Sequence, residues 1–366
     1  MTLSHSPFMT PGQSRRRREH ARARRRARRR SIAIAALALA ICAALVVIAL
    51  VRSHDAHGSA AASRSAHPHA HAAAVSVPAL SQTGLPLGRP ALALAGIGSP
   101  AQDPVRVSFH EPPRAGLLFN LDTGQVLWQR NPYKRLPMAS LTKMMTALVT
   151  VRSAPPDTPV LVSGRAVGMA GSKVGVLPLG RRVRLESMLY GLLLPSGNDA
   201  AVALAEAVAG SVNRFVVAMN AEAAALGMGC TRYSSPSGYY DEGNYSCTAD
   251  LALLAHADLE QPRIASVVRT YTAALPFPIR GGKLYLYNNN PLLIYHYPGL
   301  TGLKTGYTIA AGRCLVATAE RGGVRLGVVL LHSPDPGTQA SDLLDRGFED
   351  VYHQPPVPAP PLPAGV

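Results

Sequence analysis

Residues 136–151 read LPMASLTKMMTALVTV, and this stretch decides how the rest of the chain is read. Pro137 can open a helix, and Met138–Val151 has helical spacing with no breaker. On such a helix Ser140 and Lys143, at i and i+3, share one face. A serine hydroxyl is a weak nucleophile until a base takes its proton. A lysine partly desolvated there, near a second cation, has its neutral form favoured. Lys143 is then a candidate base for Ser140. The helix N-terminus near Ser140 presents backbone N–H groups that can stabilise an oxyanion. Taken alone, the pair also fits a helix cap beside a surface charge.

Two further motifs stand downstream in order. Ser196-Gly197-Asn198 follows about fifty residues on, and Lys304-Thr305-Gly306 closes the set. The Ser196 hydroxyl can relay a proton to a leaving amine, and the Asn198 amide can hold Lys143 and a substrate carbonyl. Lys304 supplies fixed positive charge and Thr305 a hydroxyl, which suit a substrate ending in a free carboxylate. Gly306 lets a substrate backbone approach closely. Each motif alone is also an ordinary turn or strand end. The chain has five lysines (Lys134, Lys143, Lys173, Lys283, Lys304), and two fall inside motifs. Order, spacing and that scarcity argue against coincidence, and the set is the S-x-x-K, S-x-N, K-T-G pattern of serine enzymes that react with penicillin.

Composition places this chemistry. The net charge is +16, and eleven arginines against one glutamate put +10 of it in residues 1–30. That charge adjoins a hydrophobic span rather than a folded reader, so a nucleic-acid partner is not expected. Ser31–Val51 has no charged residue and, at ~1.5 Å per residue, reaches about 30 Å as a helix. The preceding arginines should hold the N-terminus in the cytoplasm. The expectation is a single-pass cell-membrane anchor with the catalytic part outside. The competing reading is a signal cleaved in the small-residue run Gly58–Ser63, giving a secreted protein.

Residues 52–105, rich in Ala, Ser, His and Pro, read as a linker, and their histidines as solvated rather than metal-binding. The domain proper is expected over 106–353, followed by a Pro-rich tail, 354–366. Within it come a strand Ala115–Asn120, a turn and a return strand Gln125–Gln129. Helices follow over Leu185–Leu194, Asp199–Ala209, Val212–Leu226, Ala249–Ala255 and Pro262–Val268. Three strands (Gly302–Tyr307, Arg313–Ala319, Val324–His332) and an amphipathic closing helix, Gln339–Tyr352, end the domain. That order implies an α/β domain with one antiparallel sheet made from both ends, flanked by helices, with a helical region inserted. Cys42 and Cys314 read as apolar packing residues. Cys230 and Cys247 bracket a loop and can pair in an oxidising compartment, worth roughly 3 kcal/mol in the chain-entropy model.

The chain resembles the D-alanyl-D-alanine carboxypeptidases, the low-molecular-mass penicillin-binding proteins. The likeness includes Pro137–Lys143, the run Leu193–Ala201, and Pro298–Thr308. The resemblance implies a serine β-lactamase/penicillin-binding transpeptidase-like fold. It implies acylation of Ser140 by a peptidoglycan stem peptide ending in D-Ala-D-Ala, with loss of the last D-Ala, and acylation by β-lactam antibiotics. Lys143 would be the base and Ser196 the relay. Asn198 would orient groups, while Lys304 and Thr305 would bind the carboxylate. The backbone N–H groups of Ser140 and Tyr307 would form the oxyanion hole. No metal or organic cofactor is implied. Many relatives carry a second, β-rich domain and a C-terminal amphipathic helix, and neither is expected here. A class A β-lactamase would need an E-x-x-L-N loop after the second motif, which Glu206, Glu222, Glu242 and Glu260 do not begin. An endopeptidase cutting crosslinks, or a non-catalytic sensor of β-lactams or wall peptides, stays open.

Overall fold

Strands β1 (Ala115–Asn120) and β2 (Val126–Arg130) form the first hairpin. Its turn is held by the Asn120 side chain, whose Oδ1 accepts from the Asp122 and Thr123 amides at 2.8 and 2.9 Å. The computed structural model of the protein describes residues 92–239 and 242–357. The basic segment 1–30, the span Ser31–Val51, residues 52–91 of the linker and residues 358–366 of the tail lie outside them. Among the described residues no single helix is long and apolar enough to cross a membrane.

After β2 come β3 (Leu136–Pro137), helix α1 (Thr142–Ser153), β4 (Pro159–Leu161), the one-turn α2 (Gly164–Val167) and β5 (Arg182–Arg184). Helices α3 (Leu185–Leu193), α4 (Asn198–Ala209) and α5 (Val212–Ala225) lead to β6 (Tyr245–Ser246), α6 (Thr248–Leu259) and α7 (Pro262–Val268). A hairpin of β7 (Thr272–Pro276) and β8 (Lys283–Tyr287) and the short α8 (Pro291–Ile294) precede the closing meander β9 (Leu300–Thr308), β10 (Gly312–Arg321) and β11 (Val324–Ser333). Helix α9 (Pro336–Arg346) ends the domain, with one wider turn over Gly347–Val351.

The main sheet has the order β2-β1-β11-β10-β9. Its N-terminal hairpin pairs antiparallel with the last strand, Ala115 opposite Leu331 and Asn120 opposite Leu326. Both faces are covered, so its strands read as continuous apolar runs. Side chains still alternate with the pleat. Leu117, Phe119, Val316, Val329 and Leu331 face the core shared with the helical region. Leu118, Leu315, Ala317, Val328 and Leu330 face Leu343, Leu344 and Phe348 near the C-terminus. Helix α1 lies inside the helical region, with every residue from Thr142 to Thr150 buried.

Four expectations shift. Pro137 does not open a helix. It pairs with Tyr245 in a two-residue strand, and Ala139–Leu141 then make a 3-10 turn before α1 begins at Thr142. Ala139 at φ +49° breaks the helical path there. The linker ends earlier than residue 105, because residues 92–105 line the free edge of β2. Val126 N donates to Ala95 O at 2.9 Å, Val105 N to Leu127 O at 3.0 Å, and Gln129 Nε2 to Asp103 Oδ1 at 2.7 Å. This covers an edge that would otherwise be open to pairing. The closing helix starts three residues early, where Asp335 accepts from Thr338 N at 3.3 Å, and its regular part stops at Arg346. The β7–β8 hairpin was not anticipated. Cys230 and Cys247 form a disulfide, with Cα atoms 6.0 Å apart. Cys314 is buried in β10.

Candidate active site

Ser140 sits in the 3-10 turn Ala139–Leu141, and Lys143 in the first turn of α1. Lys143 is fully buried, and its Nζ lies within hydrogen-bond distance of three oxygens: Ser140 Oγ at 2.9 Å, Asn198 Oδ1 at 2.8 Å and Ser237 O at 2.7 Å. Burial pushes its pKa well below the ordinary lysine value, and the nearby Lys304 cation pushes it further, while Asp199 opposes both. Two of the three partners, the amide oxygen of Asn198 and the carbonyl of Ser237, can only accept. A neutral Lys143 has two N–H bonds and one lone pair. The two bonds satisfy the two acceptors, which leaves the lone pair for the Ser140 hydroxyl proton. Burial and the Lys304 cation favour the amine form that a base requires, and the hydrogen-bond geometry accommodates it.

The second motif lies between α3 and α4. Ser196 adopts φ +64°, and its buried Oγ has no hydrogen-bond partner among the described residues. Asn198 opens α4. Its Oδ1 takes Lys143, and Nδ2 donates to Ala170 O at 2.7 Å, so one of two amide hydrogens is already committed. The neighbouring Asp199 is buried, with oxygens accepting from Val174 N at 2.9 Å and Gly175 N at 3.0 Å. It ties the 170–175 loop to the start of α4, where helix N-termini favour negative charge.

The third motif lies on β9, at the edge of the sheet, and β9 packs against the Ser140 turn. A Cβ on Gly306 would lie 3.0 Å from Met138 O and 3.1 Å from Ser140 N, so glycine permits the strand to come this close. Lys304 is buried, and its Nζ donates to Thr305 O at 2.9 Å. Burial pushes its pKa down to about 7. Its charge is therefore not fixed, as the sequence suggested, but titrates near neutrality. Thr305 Oγ1 donates to Asn289 Oδ1 at 2.7 Å, and Asn289 N to Leu194 O at 3.3 Å. Tyr307 is 66% exposed at the rim.

The structure thus links Ser140, Lys143 and Asn198 by direct hydrogen bonds, puts Lys304 within electrostatic reach of Lys143, and lays Gly306 beside the Ser140 amide. Four contributors were not legible in the sequence: Ser237, Gly238, Asp199 and Asn289. The loop carrying Ser237 is fixed to α1 twice, by Lys143 and by Thr146 Oγ1, which donates to Pro236 O at 2.7 Å. Next to it, Gly238 at φ +67° lies where a Cβ would meet Ala139 O at 2.0 Å. Gly238→Ala should destabilise the protein by about 3 kcal/mol or more and slow acylation of Ser140, because the Ala139 carbonyl must move. Urea unfolding and penicillin labelling test this. A stability within about 0.5 kcal/mol of the parent would show that the turn tolerates a side chain.

A family model described as D-alanyl-D-alanine carboxypeptidase matches residues 112–335. The chain is 35% identical over 250 residues to D-alanyl-D-alanine carboxypeptidase DacF of Bacillus subtilis (strain 168), covering 66% of this chain and 64% of that protein. It is 35% identical over 240 residues to a D-alanyl-D-alanine endopeptidase of Pseudomonas aeruginosa, covering 61% and 76%. The crystal structure of a D-alanyl-D-alanine carboxypeptidase from Mycobacterium tuberculosis H37Rv superposes with a TM-score of 0.63 at 34% identity, over 68% of this chain and 95% of that one. The α/β fold is accordingly the penicillin-binding fold that the family resemblance implied. With the family model spanning most of the domain and all three motifs in place, the chain belongs to the D-alanyl-D-alanine carboxypeptidase family.

Proposed function

We propose that the protein is a serine-type D-alanyl-D-alanine carboxypeptidase that removes the terminal D-Ala from peptidoglycan stem pentapeptides, and that penicillin acylates the same serine. The observation that carries this reading is Lys143 Nζ at 2.9 Å from Ser140 Oγ, with acceptor-only partners on its other side. Neutral Lys143 takes the Ser140 proton as Oγ attacks the carbonyl of the penultimate D-Ala. Backbone N–H groups of Ser140 and Tyr307 receive the oxyanion. Ser196 relays that proton from Lys143 to the leaving amine, D-Ala departs, and water then hydrolyses the ester, giving one proton back to Ser140 Oγ. Asn198 holds Lys143 in place and offers its remaining amide hydrogen to the substrate. Lys304 and Thr305 bind the terminal carboxylate, and Gly306 lets the peptide lie along β9.

The lowered pKa of Lys304 gives this account a pH signature. A substrate carboxylate prefers the protonated ammonium, so kcat/KM should fall as pH rises through about 7. In the complex the carboxylate raises the lysine pKa, so kcat should hold to higher pH. Lys304→Ala should cost carboxylate-ending peptides about 10²-fold in kcat/KM and the matching C-terminal amides much less. Equal losses for acid and amide would remove the carboxylate role.

A DD-endopeptidase would use the same residues, and the similarity to the Pseudomonas protein keeps that reading in view. The proposal further places the catalytic domain outside the cell, tethered by residues 31–51 or released by cleavage after them. Its support is the sequence pattern alone, and membrane fractionation with N-terminal sequencing of the mature protein separates the two routes. The deciding assay for activity gives the full chain equal amounts of a stem pentapeptide and a crosslinked dimer. Faster D-Ala release from the pentapeptide is expected; preferential cleavage of the dimer would make the endopeptidase the main activity.

A further inference from the structure

The stretch from Gln261 to Ala319 contains no Asp or Glu, yet it holds six Lys or Arg residues and six tyrosines. Part of it is the β7–β8 hairpin, whose two faces differ sharply. Leu284 and Leu286 of β8 point into the core, while Tyr285 and Tyr287 between them are each 64% exposed. Their cross-strand neighbours on β7 are Ala274 and Thr272, both exposed and too small to cover a tyrosine ring. Residues two apart on a strand project to the same side about 7 Å apart. The hairpin therefore presents two adjacent uncovered aromatic rings, with Lys283 on the same side.

This platform runs straight into the proposed active site. β8 continues into Asn288-Asn289-Asn290, and Asn289 accepts from Thr305 of the third motif while its amide donates to Leu194, two residues before Ser196. The buried Asn288 and Asn290 fasten the same segment, through Asn288 Nδ2 to Val268 O at 3.2 Å and Asn290 Oδ1 from Leu292 N at 3.1 Å. Anything held on the tyrosines is thus held at a fixed position relative to Lys304 and Thr305.

We propose that the outward face of the β7–β8 hairpin is a docking surface for the saccharide chain of the wall polymer whose stem peptides enter the active site. This rests on the carboxypeptidase reading above. The face offers ring surfaces and hydroxyls but no aliphatic side chain larger than alanine or proline, which suits a sugar, apolar on its C–H faces and polar at its edges, better than a dry protein interface. The missing acidic residues remove repulsion of the carboxylates that the stem peptides carry. Binding the polymer beside the cleft makes capture of the next stem peptide an intramolecular event.

The test uses the full chain carrying Ser140→Ala, so that binding is read without turnover. It is sedimented with insoluble peptidoglycan and with glycan strands stripped of peptide, at high ionic strength to screen the N-terminal arginines. Adding Tyr285→Ser and Tyr287→Ser should weaken retention on both materials about tenfold. In the Ser140 background the same pair should leave the penicillin acylation rate unchanged. Unchanged retention would overturn the proposal, as would retention that requires the stem peptides. So would a tyrosine variant that keeps wall binding and instead loses binding to anionic lipid vesicles. D-Ala release from a soluble pentapeptide separates the two readings. If it fails in the parent, the carboxypeptidase reading fails; if it stands while the tyrosine pair sediments unchanged, the platform alone fails.

Discussion

Ser140→Ala is expected to abolish D-Ala release and covalent penicillin labelling, a loss of about 10⁴-fold or more, while the protein stays folded. The Ser140 hydroxyl is bonded to Lys143 and lies in a half-buried turn. Removing it takes one of three partners from Lys143 and creates only a small void, so the stability cost should be about 1 kcal/mol. A thermal melt alongside the labelling assay separates loss of chemistry from loss of fold. Labelling that persists in a folded variant would move the nucleophile elsewhere.

The second large effect concerns Lys143. Lys143→Arg puts a permanent cation where the neutral amine stands and cannot offer a lone pair, because a guanidinium does not deprotonate in proteins. Penicillin acylation should slow by about 10³-fold or more. In the parent at saturating penicillin, the acylation rate should rise with pH as Lys143 loses its proton and level off well below the ordinary lysine pKa, since burial and Lys304 both favour the neutral amine. Lys143→Ala tests the other half of the argument. It strands the buried acceptors Asn198 Oδ1 and Ser237 O at about 1–3 kcal/mol each. Part of that cost is offset because a buried amine no longer has to be desolvated. An Arg variant within tenfold of the parent rate would point to a different base.

The parts of this site that sequence reveals are those that depend on side-chain identity. Lysine is rare in the chain, so Lys143 and Lys304 stand out, and the serine and asparagine of the middle motif gain meaning from their order. The main sheet is legible because its strands are long apolar runs set off by glycine-rich turns. What stays hidden acts through the backbone or through distance. Ser237 contributes a carbonyl, which any residue would supply, and it lies 94 residues from Lys143. Asn289 matters only because β8 delivers it to Thr305. The β7–β8 hairpin escapes notice because its alternation sets leucine against tyrosine, so the buried and exposed positions look alike in hydropathy. Pro137 looks like the start of the helix, because the positive φ at Ala139 has no signature in an alanine. Charge state is equally hidden: Lys304 reads as a permanent cation until its burial is known, and burial brings it to about 7.

The most direct test of the account is to find where a β-lactam attaches. The full chain is treated with penicillin, digested, and the adduct located by peptide mass spectrometry. A single penicilloyl group on Ser140 is the predicted result. An adduct on Ser196 or any other residue, or no adduct on a folded protein, would contradict the assignment of Ser140 and Lys143 as nucleophile and base.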